Sequence, residues 1–369
     1  MQRLKRRRKM NKELLTRNEC NALRGLAIIG IFLHNYCHWL NPIVKENEYQ
    51  YFQHNVDWLT QVMISPNLNF FVHLISFFGH YGVPIFLFLS AYGLVQKYEN
   101  QDYISKHHVS VYGFVRYHFL KLFKMMIVGF VIFLVIDQIT PGSFHYDFLD
   151  VIAQLGLFNN FIPHPDQHIW PGPYWFFGLM LQLYIIYRLL LYRRSWKWIV
   201  GAMLVCWLAQ IFCNPEGEPL NYIRYSSIGG MLPFGLGLLY ARYGKILTTQ
   251  QNSIMAVISA LLIVAGSYNY QAWFFVPAFV CTFCVGFIKS VTALADHSFF
   301  CNRLFNGLVW MGNVSAALFI CHPITRKIFI PISCKGDIYT GLLIYVIVSV
   351  CLAWVFHKFF QKLPRIKMK

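Results

Sequence analysis

The fold class this sequence predicts is all-α: a polytopic membrane protein of about ten transmembrane helices. Three observations predict it. Hydrophobic residues make up 57 % of the 369-residue chain and charged residues only 13 %, about half the charged share of a soluble domain. Apolar runs near the length of one bilayer crossing, about 20 residues, repeat with no soluble-looking block between them. The basic residues gather at the ends of those runs, where anionic headgroups attract them.

Taken in order, the runs are 22–40, 70–95, 117–137, 173–192, 196–213, 225–241, 252–267, 270–288, 305–323 and 338–357. The second exceeds one crossing, so its first part, Phe70 to Phe78, reads as interfacial. The seventh and eighth are separated only by about Tyr268-Asn269 and predict a tight helical hairpin. The first is retained as a helix rather than cleaved as a signal peptide. Asn35, Tyr36, His38 and Trp39 follow it, not a small-residue cleavage site. The sequence therefore reads as a basic segment over 1–21, one transmembrane domain over 22–357 and a basic tail over 358–369.

Lys and Arg set the orientation. On a ten-span topology 27 of the 32 fall on the side of the termini, while Lys45, Arg224, Arg326, Lys327 and Lys335 fall on the other. This asymmetry predicts that both termini are cytoplasmic. The net charge of +17 belongs to that pattern and not to a nucleic-acid surface. The longest external loop, 138–172, carries no Lys or Arg and is rich in Pro, Asn, His and Asp. Its length suits a functional loop.

Several of the ten cysteines lie inside apolar runs. The Cys281–Cys284 pair lacks the second Cys or His pair that a zinc site needs and reads as core. His164 and His168 flank Asp166, but Pro163 and Pro165 oppose a helix that would align them. No metal is expected. The sequence does not decide the oligomeric state.

Ionisable groups within membrane spans are costly, which makes each a functional candidate. The first run reads Arg24-Gly-Leu-Ala-Ile-Ile-Gly-Ile-Phe-Leu-His34. By helix rise the two Cα atoms stand about 15 Å apart along the axis, with Arg24 at the cytoplasmic edge. Arg24 also reads as a snorkelling side chain, and His34 as a satisfied core imidazole. His38 reads as interfacial, beside Trp39. A second run extends from Gly79-His80-Tyr81-Gly82 through Ser90 to Gly93, with small residues that suit helix packing. A third, Pro173 to Tyr184, opens on aromatics typical of an interfacial belt and contains Gln182. A fourth, Gly312 to Pro323, contains Ser315 and His322, and suits packing as well as chemistry.

In this order the four runs resemble the acyltransferase 3 family, membrane O-acyltransferases that decorate bacterial surface glycans. Arg24 to His34 resembles the family's Arg-Gly-apolar-His first helix. Gly82 to Gly93 resembles its Gly-Val-x-x-Phe-x-x-Ser-Gly segment. Trp175 to Tyr184 resembles its Trp…Gln-Phe-Tyr stretch, and Gly312 to His322 its closing Gly…Ser…Tyr…His, with Phe319 at the Tyr position. The resemblance spans about residues 15 to 360. There are departures. Nine residues separate Arg24 from His34 where the family commonly has ten, so ten helical steps leave them about 80° apart. The helix is either distorted or differently arranged, and Asn35 takes the family-spaced position. Met180 and Leu181 replace acidic residues of many glycan-modifying members. No hydrolase-like block follows the last span.

The resemblance implies cytoplasmic acyl-CoA, acetyl-CoA first, as donor. It implies a hydroxyl of a surface glycan or lipid-linked sugar as acceptor, at the bacterial inner membrane among its lipids. Arg24, Arg116, Lys121 and Lys124 are the candidate phosphate contacts, since Arg suits phosphate geometry. His34 is the candidate base or acyl carrier. Ser90, Tyr184, Ser315 and His322 are candidates to orient it or to stabilise an oxyanion. Loop 138–172, with Trp170, is the expected acceptor surface. A glycolipid or polyol transporter is the rival reading. It lacks support from any inverted repeat or paired broken helices.

Overall fold

A computed structural model describes residues 13–100, 109–364 and 366–367. The basic run Arg3 to Lys12, with Lys106, Arg365 and Lys369, lies outside the described residues. Among the described residues the chain is helical and contains no strand.

The helices are α1 (Arg17–Cys37), α2 (Gln53–Ile64), α3 (Phe70–Phe78), α4 (Gly82–Tyr98), α5 (Val111–Ile139), α6 (Phe148–Gly156), α7 (Pro165–His168) and α8 (Trp175–Ile186). They continue as α9 (Trp196–Ile211), α10 (Glu218–Arg224), α11 (Ser227–Tyr243), α12 (Thr249–Ser267), α13 (Tyr270–Trp273), α14 (Val276–Leu294), α15 (Phe299–Lys335) and α16 (Ile338–Lys362). A helix stands at each predicted run. Among the described residues seven helical stretches are long and apolar enough to cross a membrane: Phe70–Tyr98, Val111–Ile139, Gly172–Leu191, Thr249–Ser267, Val276–Leu294, Phe299–Lys335 and Ile338–Lys362. Apolar side chains at Leu343, Ile347, Trp354 and Val355 on α16 are exposed, as a lipid-facing helix requires.

Local chemistry explains several boundaries. Thr16 and Glu19 form a capping box at the start of α1. The Thr16 amide donates to Glu19 Oε2 at 2.7 Å, and the Glu19 amide donates to Thr16 Oγ1 at 3.2 Å. Thr248 and Gln251 repeat this device at α12. Asp337 caps α16 by accepting from the Tyr339 and Thr340 amides.

One expectation shifts, and two segments gain detail. The eighth run begins later than expected, because Pro277 suits the first turn of a helix; α14 starts at Val276, after the short α13. The second run is one helical stretch, α3 joined to α4 by a 3-10 turn over Gly79–Tyr81. The loop 138–172 contains α6 and α7, so it is not a structureless connection.

The described chain divides into two units. The first holds the chain up to Ile28, the helix from Gly82, and Leu232–Asn313. In it α12 and α14 pack along their lengths. Ser253 and Ser290 are hydrogen-bonded at 2.8 Å and Ser259 and Thr282 at 2.7 Å. Ion pairs join Arg242 to Glu99 at 2.6 Å and Lys289 to Glu19 at 2.9 Å. The second unit holds Ile29–Tyr81, the described chain from Val109 to Met231, and Val314 onward. Gly129 on α5 lets Tyr174 Oη reach the Ile320 carbonyl at 3.0 Å; a Cβ there would stand 2.1 Å from both residues. The rings of Tyr36 and Tyr345 stack at 4.4 Å, and Lys327 pairs with Asp137 at 2.8 Å.

Candidate active site

The site begins with two glycines in the second unit. A Cβ on Gly79 would lie 2.6 Å from His34 Cβ and 2.7 Å from the Gly30 carbonyl. Without side chains, α1 and the end of α3 approach backbone to backbone. That approach brings the Ser76 carbonyl to 2.7 Å from His34 Nδ1. A carbonyl only accepts, so Nδ1 carries the proton and a neutral His34 keeps its lone pair on Nε2. The side chain is 3 % exposed. α1 is regular from Arg17 to Cys37, so the short Arg24–His34 spacing is not absorbed by a distortion of the helix.

Glu46 faces that lone pair. Its Oε1 lies 3.9 Å from His34 Nε2 and 3.1 Å from His38 Nδ1. The His38 and His80 rings stand 4.7 and 5.5 Å from the His34 ring. His38 Nε2, His80 Nδ1 and Glu46 Oε2 are buried and have no hydrogen-bond partner among the described residues. The loop carrying Glu46 is pinned on three sides. Ser76 Oγ donates to the Val44 carbonyl at 2.5 Å, the Val44 amide donates to His73 Nδ1 at 3.1 Å, and Asn55 Nδ2 donates to the Glu46 carbonyl at 3.1 Å.

Two carboxyls on this loop are driven apart. Burial raises the pKa of Glu46, but the charges of His38 and His34 and the His38 hydrogen bond outweigh it, and Glu46 stays below the usual carboxylate range. Burial, with the Glu46 charge adding to it, pushes Glu48 up to about 8. At neutral pH one is therefore ionised and the other largely protonated.

His322 on α15 is fully buried. Its Nδ1 donates to the Leu318 carbonyl at 3.1 Å, and its Nε2 has no partner among the described residues. One turn on, Arg326 Nη1 reaches the Asn35 carbonyl at 3.3 Å and Asn35 Oδ1 at 3.5 Å. The same guanidinium lies 5.1 Å from the Trp39 ring and 6.0 Å from the Trp170 ring.

The candidates from the sequence are thus distributed unevenly. His34, Asn35 and His322 share the second unit with Arg326. Gln182, also there, accepts from the Ser227 amide at 2.9 Å while its Nε2 is buried without a partner. The Tyr184 ring lies 4.2 Å from His118, and Ser315 is buried. On α5, Arg116 and Lys121 are exposed, and Lys124 Nζ donates to the Pro364 carbonyl at 2.6 Å. Arg24 and Ser90 belong to the first unit. There Arg24 Nη1 donates to Asn21 Oδ1 at 2.9 Å, and Asn21 Nδ2 donates to Asn313 Oδ1 at 2.9 Å. The first unit also contains a cavity of about 510 Å³ lined by Leu14, Glu19, Phe88, Tyr240, Cys281 and Lys289 among others. None of the sequence candidates lines it.

Sequence reasoning passed over Glu46, His80 and Arg326 and gave His38 an interfacial role. The sequence did contain a signal for Arg326, as one of only five basic residues on the far side of the charge count. Glu46 carried none, since only the fold brings it to His34. His34, His38 and Glu46 also present ligand atoms within 4.8 Å of one another. A tetrahedral zinc would need such atoms about 3.4 Å apart, so this set fits one only after moving inward. His164 and His168 turn to different partners, Glu218 at 3.2 Å and Asp150 at 2.9 Å.

A buried imidazole with a fixed tautomer and a carboxylate on the side of its lone pair is an arrangement that can accept a proton. The comparison with protein families gives that arrangement its setting. The acyltransferase 3 family model, described as an acyltransferase domain, matches residues 17–358, nearly the whole chain. The chain belongs to the acyltransferase 3 family. No curated protein and no solved structure matches it. Family membership and the apolar helices together make it a multi-pass membrane protein of the acyltransferase class.

Proposed function

We propose that the protein transfers an acyl group, acetyl first among candidates, from cytoplasmic acyl-CoA to a hydroxyl of a glycan or its lipid-linked precursor. It would act in a bacterial inner membrane, with both termini cytoplasmic and ten spans. The observation that carries the chemistry is the His34 hydrogen bond to the Ser76 carbonyl. It fixes the proton on Nδ1 and leaves Nε2 as the base.

Each step balances. Nε2 takes the proton of the acceptor hydroxyl as that oxygen bonds to the thioester carbonyl carbon. The tetrahedral intermediate collapses, the C–S bond breaks, and the CoA sulfur leaves with the proton held on Nε2. Glu46, 3.9 Å from Nε2 itself, stabilises the transient imidazolium by its charge, while the Ser76 carbonyl holds the Nδ1 proton on the other side of the ring. Gln182 Nε2 is the buried donor we assign to the developing oxyanion; His322, whose Nδ1 proton is held by the Leu318 carbonyl, offers Nε2 as an acceptor that would orient the reacting groups. Asn35 takes a lesser part, holding Arg326. Ser90, Tyr184 and Ser315 remain candidate supports for the reacting groups. Arg24, Arg116, Lys121 and Lys124 supply cations for the donor's phosphates. No metal takes part in this scheme.

The test is transfer of label from radiolabelled acetyl-CoA into glycan or glycolipid of native membranes. Wild-type protein moves label; His34→Ala, expressed and folded at the same level, reduces transfer at least a thousandfold. Equal transfer by the variant would refute the assignment of the base. Uptake of glycolipid or polyol without acyl-CoA consumption would favour the transporter reading.

A further inference from the structure

Arg326 is a buried cation that pairs with no anion among the described residues. It is 5 % exposed, always charged, and has five N–H donors to satisfy. Among the described residues it forms no ion pair. The acids nearby in the fold are taken: Glu46 goes to His34 and His38, and Asp137 to Lys327. Among the described residues the hydrogen bonds of Arg326 are the two long ones to Asn35, at 3.3 and 3.5 Å. A buried charge left in that state is costly. Its retention calls for a partner that arrives from outside.

The surroundings say what kind of partner. The guanidinium lies against Trp39 and Trp170, whose rings meet edge to face at 6.2 Å. Phe144 stacks on Trp170 at 5.5 Å. Trp39 is 45 % exposed, so the cluster opens outward on that side. Trp170 Nε1 is buried and has no partner among the described residues, a second donor awaiting an acceptor. Aromatic faces suit the C–H surface of a sugar ring, and a guanidinium suits a carboxylate or phosphate. The cluster adjoins the proposed base through Asn35, the residue after His34, and through His38, the residue before Trp39.

We propose that Arg326, Trp39 and Trp170 form a specificity subsite for an anionic sugar, one bearing a carboxylate or a phosphate. The inference rests on the acyl-transfer reading only in calling this sugar the acceptor. Binding at the cluster does not require the chemistry.

The test is a fluorescence titration of the full-length protein in detergent, with no acyl donor present. The probes are methyl glucuronide, glucose 6-phosphate and methyl glucoside. Either or both anionic sugars quench indole emission of the wild type, and which of them does identifies the anion. Methyl glucoside binds at least tenfold more weakly. Arg326→Gln loses the preference for charge, and Trp39→Phe weakens all binding. Should Arg326→Gln not fold, Arg326→Lys decides the matter: it keeps the preference with affinity reduced three- to tenfold. Equal binding of neutral and charged sugars by the wild type, no binding of any probe, or full preference in Arg326→Gln overturns the proposal. Because no acyl group is present, loss of this preference and loss of acetyl transfer are separate results.

Discussion

Glu46 is the carboxylate set against the proposed base, His34. In the proposed mechanism it is a positioning residue, 3.9 Å from the Nε2 of His34 and hydrogen-bonded by His38 at 3.1 Å. A neutral imidazole gains little from a carboxylate at that distance, but an imidazolium gains much more. Its contribution therefore belongs to the transition state and not to substrate binding. Glu46→Gln is expected to lower kcat by roughly 10²- to 10³-fold with KM changed less than threefold, and Glu46→Asp to recover part of the loss. Steady-state acetyl transfer at saturating acceptor measures this. A rise in KM with kcat intact would assign Glu46 to binding instead. At this scale the sequence was informative where a residue type is costly by position. His34 and His322 stood out because ionisable groups inside apolar runs are rare. Glu46 lies in a polar loop among other polar residues, and only the folded loop gives it a partner.

At the scale of the element, the position of His34 is decided by what is missing from α1 and α3. Gly30 and Gly79 remove two side chains from one crossing, and the Ser76 hydrogen bond follows from that closeness. Gly79→Ala places a methyl group 2.6 Å from His34 Cβ and 2.7 Å from a main-chain oxygen. Neither neighbour is the far end of a flexible side chain, so the helices must separate. Overpacking of this kind costs about 1–3 kcal/mol, and here the displaced atom belongs to the proposed base. Gly79→Ala is expected to reduce transfer at least tenfold and to lower the melting temperature. Gly93→Ala, where a Cβ meets nothing within 4 Å, should do neither. Full activity in Gly79→Ala would show that the crossing tolerates a wider gap. Elements were legible in the sequence, and contacts were not. Apolar runs and caps such as Thr16–Glu19 locate helices because their signals are local. A glycine in an apolar run marks close approach without naming the partner helix.

For the whole molecule, the arithmetic of spans carries a parity that length alone does not settle. Seven stretches satisfy length and apolarity together, and an odd number of crossings puts the termini on opposite sides. The remaining helices at predicted runs are α1, which carries Arg17, Glu19 and Arg24, and the shorter α9 and α11 of 16 and 17 residues. At about 1.5 Å per residue the shorter pair reach roughly 24–26 Å, less than the ~30 Å hydrocarbon core. Thinning of the bilayer or snorkelling of flanking residues covers such a shortfall at modest cost. Arg193, Arg194 and Lys197 lie before and near the start of α9, and Arg242 and Lys245 lie at and beyond the end of α11. The intervening segment carries only Arg224 among cations. That pattern is what an outward and return crossing by α9 and α11 leaves behind. Reporter fusions therefore have definite expected signs. A reporter active only outside the cytoplasm should be active when joined after Pro215 and silent when joined after Lys245 or Lys362. A cytoplasmic reporter should give the converse at all three positions. Activity of the external reporter after Lys362 would place the termini on opposite sides. In that case at least one of the three weaker helices stays out of the bilayer, and the charge asymmetry that orders the topology has another cause.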